Sequence, residues 1–322
     1  MDLIYTKTNR EDVGVLKDYT FDLAFGSDEN DFELTLDVNS HCCEASCLVY
    51  IEGTEYGGII DKIGVVTKDD KLTYKGRTWH GILVSKRIAP NSGAAYLTVS
   101  GEANDVIGSL IERIGLSDLF VAAEEDSGLT ISNYSFDRYV DAYTGLTKML
   151  ATVSGKLKFT FKNGKVILSA LPIVDYSQDE QFDNDQVEMD IEKTYNTTNH
   201  LICLGKGELQ DRQVVHLYVD AKGNISENQT FTGLQEIMDV YDYSNVESLD
   251  ELKKGGKEKL KELAASDKVN TDFPSEETIY DIGDIVGSKE NITGIEATAK
   301  ITKKIVTINQ GVVNIQYKVG EK

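Results

Sequence analysis

Positive charge is in short supply in this chain. Its 322 residues carry 33 Lys and Arg against 54 Asp and Glu, a formal net charge of −21. A protein that grips nucleic acid must neutralise phosphates with Lys and Arg, so specific nucleic-acid binding is not expected. An anionic membrane surface is disfavoured for the same reason. Long apolar runs are also missing: no stretch approaches the ~18 residues of a membrane span, so stable membrane insertion is not expected. Residues 1–10 lack the apolar core of a secretory signal, and assembly in the cytoplasm is the expectation. With only 4 Cys, there is no disulfide framework. The acidic surplus serves solubility, and it also suits a channel lining or a basic partner.

What is present is enough for folded cores. The hydrophobic fraction is 40%, with 16 Tyr and 10 Phe, which argues against disorder. The length exceeds one typical core and predicts two or three domains.

Chemistry-bearing residues are few. His41, His80, His200 and His216 have no Ser or Cys nearby in a triad-like arrangement. His200 and His216 flank a predicted strand pair and are placed to approach one another; ordinary structural roles are expected for both. His41-Cys42-Cys43 with Cys47 has the look of a metal cluster, yet zinc sites need spaced ligand pairs. Cys42 and Cys43 are expected on opposite faces of a strand, and Cys203 in a core. Gly205-Lys206-Gly207-Glu208 is a lone Gly-x-Gly, too little for a phosphate loop. Trp79 has the chemistry to stack on sugar, but a buried strand Trp is the simpler expectation. No catalytic residue, cofactor or metal ligand is assigned, and no enzyme activity is expected.

The N-terminal hundred residues alternate with period two. Phe21, Leu23 and Phe25, then Phe32, Leu34 and Leu36, mark two strands around the acidic turn Gly26–Asp31. Asp28, Glu29, Asp31 and Glu33 lack the spacing of a calcium loop, so a solvated turn is expected. Further strands are predicted at Cys47–Ile51, Tyr56–Val65, Lys71–Gly76, Gly81–Ile88 and Tyr96–Ser100. Helical spacing follows at Ala103–Ile114 and Tyr143–Val153. A hairpin with an Asn163-Gly164 turn joins Leu157–Phe161 to Val166–Leu168. An acidic connector covers 172–190. Strands resume at Thr198–Gly205 and Val214–Asp220. Ser248 and Glu251 fit a capping box, opening a helix that Gly255-Gly256 should bend or weaken. The chain is β again after Pro274.

Asp22-Leu23-Ala24-Phe25-Gly26 with Asp28–Leu34, followed by Tyr50–Asp61, resembles tail proteins of phages and prophages of Gram-positive bacteria. Gly76–Leu83, Val99–Asn104, Asn199–Leu209, Tyr241–Asn245 and Asp281–Gly287 resemble successive blocks of the same family, of baseplate hub or tail-tip type. The resemblance implies an α+β, mainly β fold: two barrel-like β domains with a small inserted α+β domain. The boundaries expected are 1–100, 101–172 and 173–322, with a helix near 248–265 inserted in the last. It implies a virion structural protein, a homo-oligomer of trimer type, contacting tube, distal-tail and spike proteins. The Asp281–Asp284 segment resembles an edge-strand entry into the second barrel. The chain stops just after the last predicted strand, without the long fibre or hydrolase portion of many tail-tip proteins, which favours a compact hub. The alternatives are a tail-associated cell-wall hydrolase and a carbohydrate-binding adhesin using aromatics such as Trp79 or Tyr143.

Overall fold

The computed structural model describes residues 1–177, 181–183, 189–193, 197–246, 248–264, 267–274 and 280–320. The fold is mainly β. It divides into two compact units: Met1–Met189 with Asn270–Gly287 and Lys300–Gly320, and Asp190–Val269 with Ser288–Ala299.

The first unit opens with β1 (Leu3–Thr6), β2 (Asp12–Leu16), β3 (Thr20–Gly26), β4 (Asp31–Asp37), β5 (Leu48–Tyr50), β6 (Gly57–Val66) and β7 (Lys71–Thr78). Phe21, Leu23 and Phe25 on β3 are buried, as are Phe32, Leu34 and Leu36 on β4, the alternation read from the sequence. Residues 81–88 depart from the strand expected there. Trp79–Val84 form helix α1, capped by Thr78, whose Oγ1 accepts the Gly81 N–H. Trp79, Ile82 and Leu83 fall at helical spacing and are buried, and the cap outweighs the strand propensity of the run.

Next come β8 (Leu97–Glu102), α2 (Ala103–Arg113), β9 (Phe120–Ala122), β10 (Thr130–Phe136), α3 (Ala142–Ala151), β11 (Gly155–Lys162) and β12 (Lys165–Pro172). Both helices start on acidic caps: Glu102 accepts the Asp105 N–H and Asp141 the Thr144 N–H. Asn163 and Gly164 have φ of 52° and 74°, the twin left-handed pair that a two-residue hairpin turn requires. One apolar core spans this segment and the N-terminal strands, holding Leu48, Tyr50 and Trp79 together with Ile107, Leu146, Phe159 and Phe161.

Within the expected acidic connector lies the short strand β13 (Gln181–Asp183), and β14 (Met189–Lys193) begins at its end; its remainder falls partly outside the described residues. The second unit contains β15 (His200–Leu204), β16 (Val214–Val219), β17 (Ile225–Ser226), β18 (Met238–Asp242) and α4 (Leu249–Ala264). Its sheet runs β17-β16-β15-β18. Leu201, Cys203, Val215 and Leu217 pack against Leu252 and Leu260 of α4. Ser248 Oγ accepts the Glu251 N–H at 3.2 Å, the expected helix start. The glycines of α4 do not interrupt it. A Cβ at Gly256 would stand 2.4 Å from Cys203 Sγ and 2.8 Å from Leu217 Cδ1, so glycine lets the helix lie close on its sheet.

The chain ends with β19 (Asp267–Pro274), β20 (Ile285–Lys289), β21 (Glu296–Asn309) and β22 (Val312–Gly320). β21 returns to pair antiparallel with β3, from Lys303 opposite Gly26 to Asn309 opposite Thr20. In the first unit the sheet therefore reads β22-β21-β3-β4-β7-β6-β5-β1-β2, with both ends of the chain in one ladder. Its hydrogen-bonded path is open among the described residues.

Candidate functional site

Register places charge inside this sheet. Phe21, Leu23 and Phe25 of β3 face Ile308, Val306 and Lys304 of β21, so Lys304 stands in an apolar row and is 1% exposed. A bulge between Ile301 and Lys303 sets that phase. A buried ammonium demands a counter-charge, and Glu55, in the loop between β5 and β6, supplies it at 2.7 Å. Thr54 shapes this loop by accepting the Tyr56 N–H and donating to the Ile51 carbonyl. Two backbone bonds dock it on β11: Gly53 N–H to Phe161 O and Phe161 N–H to Thr54 O, both 2.8 Å. Burial would raise the Glu55 carboxyl, but the charge of Lys304 and its hydrogen bond hold it below the usual range. Burial would lower Lys304, and Glu55 reverses this.

His80 completes the group. Its ring stacks on Phe159 at 3.7 Å, lies edge-on to Tyr143, and sets Nε2 3.8 Å from Glu55. Burial pushes its pKa down to about 4 despite the opposing pull of Glu55, and Nδ1 has no hydrogen-bond partner among the described residues. The ring is therefore neutral at pH 7.

The hairpin contributes a second set of charges. Phe159 and Phe161 face the apolar core, which leaves Lys156 and Lys158 on the other side of β11. Lys156 Nζ donates to both oxygens of Asp284, at 2.7 and 2.8 Å, and lies 3.0 Å from Asp281. Lys158 donates to Asp281 at 2.5 Å. Asp284 also accepts the N–H groups of Val174 and Asp281. Burial raises the Asp281 carboxyl, and the bond and charge of Lys158, with Lys156, outweigh it and hold it low. The Asp281–Asp284 segment is thus a turn just before β20, built around Gly283 with φ of 105°. A cleft of about 480 Å³ opens beside Glu55, Lys158, Phe159 and Lys304.

Every charge in this junction meets an opposite one, and a neutral imidazole lies against it. That arrangement registers three distant chain segments; it offers no nucleophile paired with a base. Among the described residues, no three His, Cys, Asp or Glu are placed to hold a metal ion.

The acidic turn is solvated as expected, with Asp28 and Glu29 exposed, and both receive Lys303, at 2.6 Å for Glu29. Glu33 pairs with Lys75, and Asp61 takes Arg77 in a two-pronged bond. Trp79 is buried, on α1 rather than a strand, stacked on Phe161 at 5.2 Å. Tyr143 is buried too, so neither aromatic is displayed for a sugar. His200 and His216 do meet, Nε2 to Nδ1 at 2.8 Å, and Glu236 accepts from His200 Nδ1 at 2.7 Å. Gly205–Glu208 closes the β15–β16 connection through Gly205 N–H to Gln213 O and Gln213 N–H to Lys206 O, without a following α-helix to cradle phosphate. Cys203 is buried as expected, whereas Cys42 and Cys43 lie outside any strand with their sulfurs 3.6 Å apart. Lys156, Lys158 and Lys304 carried no sequence signal of their own, and Glu55 and Asp284 lay in segments marked only by resemblance.

No family model matches the sequence, and neither does any curated protein. Solved structures do match its fold. A prophage tail protein, gp18 from Listeria monocytogenes, is 13% identical with a TM-score of 0.59, over 99% of this chain and 94% of that one. A 43 kDa tail protein of prophage MuSo2 from Shewanella oneidensis is 11% identical, also at 0.59, over 99% and 98%. A tail protein from Neisseria meningitidis is 15% identical at 0.54, over 100% and 96%. The chain shares the fold of these tail proteins along its whole length.

Proposed function

We propose that this chain is a non-enzymatic structural component of a phage or prophage tail, the baseplate hub that joins the tail tube to the tip. The observation that carries the reading is the end-to-end correspondence of fold with three proteins titled as tail proteins. The β3–β21 ladder supports it further. In this reading residues 1–100 and 173–322 supply the β framework of the hub, sharing one open sheet through β3 and β21, and 101–172 is the small α+β insertion. Three copies close a ring through a heterologous interface, in contact with tube, distal-tail and spike proteins. The net charge of −21 favours a lumen to which DNA does not adhere. The protein resides in the virion tail or prophage particle after assembly in the bacterial cytoplasm.

Native mass measurement of the purified chain, alone and with the tube protein of the same particle, tests this. Trimers and a tube complex are expected. A chain monomeric at every concentration, with no affinity for tube protein, contradicts the hub.

A further inference from the structure

We propose that Leu209, on the connection between β15 and β16, is a knob that docks in the cleft beside Phe159 and Lys158 of a second copy of this chain. The contact rests on the ring of copies proposed above and names the two surfaces that meet in it. Leu209 is 93% exposed and stands at φ of 48°, a left-handed conformation that leucine rarely adopts. An aliphatic side chain held in water on a strained backbone adds nothing to its own fold, which points to a use outside it. The display is firmly held. Gly205 N–H bonds Gln213 O at 2.8 Å and Gln213 N–H bonds Lys206 O at 2.9 Å, closing the base of the connection. At Gly207 a Cβ would stand 2.4 Å from the Asp211 carbonyl oxygen, so glycine lets the two limbs meet. Arg212 clamps the returning limb by donating to the Gly205 carbonyl and to Asp242.

The cleft supplies the complement. Its volume of about 480 Å³ lies within the range of binding pockets. Tyr56, Phe159, Val313 and Ile315 give it apolar walls, and its charged lining is two lysines, Lys158 and Lys304, against one glutamate, Glu55. That positive surplus stands out in a chain of net charge −21. The knob carries the opposite sign: Glu208 and Asp211, both exposed, flank Leu209, while Lys206 sits back at the base. Lys158 keeps 34% of its side chain open to an approaching carboxylate. Leucine against the apolar walls and acid against lysine together select one orientation. Because knob and cleft are different patches, the contact is heterologous and runs head to tail, the geometry that closes a ring.

The test is self-association of the full chain and of surface variants, read by analytical ultracentrifugation. Leu209→Asn relieves the backbone strain, since asparagine accepts the left-handed region. It is expected to leave urea unfolding at dilute, monomeric concentration unchanged or improved, while weakening association about tenfold or more, the scale of one buried leucine. Glu208→Lys with Asp211→Lys is expected to weaken association too, and more so at low salt. Chains carrying Leu209→Cys, mixed with chains carrying Val313→Cys, both with Cys42→Ser, are expected to form a disulfide-linked pair that neither forms alone. Trimers that persist in Leu209→Asn, with no mixed disulfide, overturn this contact and leave the ring standing. A wild-type chain monomeric at every concentration overturns both.

Discussion

Lys304 and Glu55 stand 249 residues apart in sequence and 2.7 Å apart in space. One comes from the strand that returns to β3 near the end of the chain. The other comes from a loop docked on the central hairpin. Their bond joins the returning strand to a loop docked on β11, the strand that also carries Lys156 and its bond to Asp284.

Cutting the bond from one side leaves a buried charge alone. Lys304→Met and Glu55→Gln are each expected to cost about 3–5 kcal/mol in urea unfolding. The double variant should recover a large share of that loss, since neither charge then remains stranded. Equal and additive losses would show that the two side chains act independently.

Acid should loosen the same junction in two stages. Neutral His80 is favoured in the fold, with a pKa of about 4 against an ordinary 6.5. The unfolded chain thus binds more protons between those values, and stability falls as pH drops through that window, by at most about 3 kcal/mol. Glu55 and Asp281 have lowered pKa values, so their contribution is intact above the ordinary carboxylate range and lost at lower pH. Thermal midpoints from pH 7 to pH 3 should show both limbs. His80→Phe, ringed by Phe25, Tyr143 and Phe159, should flatten only the upper one.

Adjacent glycines of α4 should respond in opposite ways. Gly256→Ala drives a methyl into Cys203 and Leu217, and overpacking of about 1–3 kcal/mol exceeds the ~1 kcal/mol of helix propensity gained. At Gly255 the nearest atom is the Tyr241 hydroxyl at 3.2 Å, at the far end of a side chain, so Gly255→Ala should be neutral or stabilising. Chemical unfolding of the two variants separates packing from propensity. Cys203→Ala should rescue Gly256→Ala.

Much of the fold was legible because the relevant signals are local. Alternation at Phe21–Phe25, the Asn163-Gly164 turn and the Ser248 cap each depend on a few neighbouring residues. Two local readings failed for physical reasons. At Trp79–Val84 a threonine cap turned an apolar run into a helix, and at Gly255-Gly256 close packing explains what propensity alone would call a weakness. The junction was not legible, because Lys304 reads as an exposed lysine until β3 is known to lie beside it. The Cys42–Cys43 geometry was misread for a related reason: opposite faces follow only if the pair is in a strand, and the Tyr74 hydroxyl, accepting both amides, holds it outside one.

The most direct measurement is immunogold electron microscopy on particles induced from the source cells, with antibody against this chain and mass spectrometry of the same preparation. Gold at the tail tip, with the chain among the particle proteins, is the predicted result. Intact tailed particles that carry no label and lack the chain by mass spectrometry would contradict the assignment.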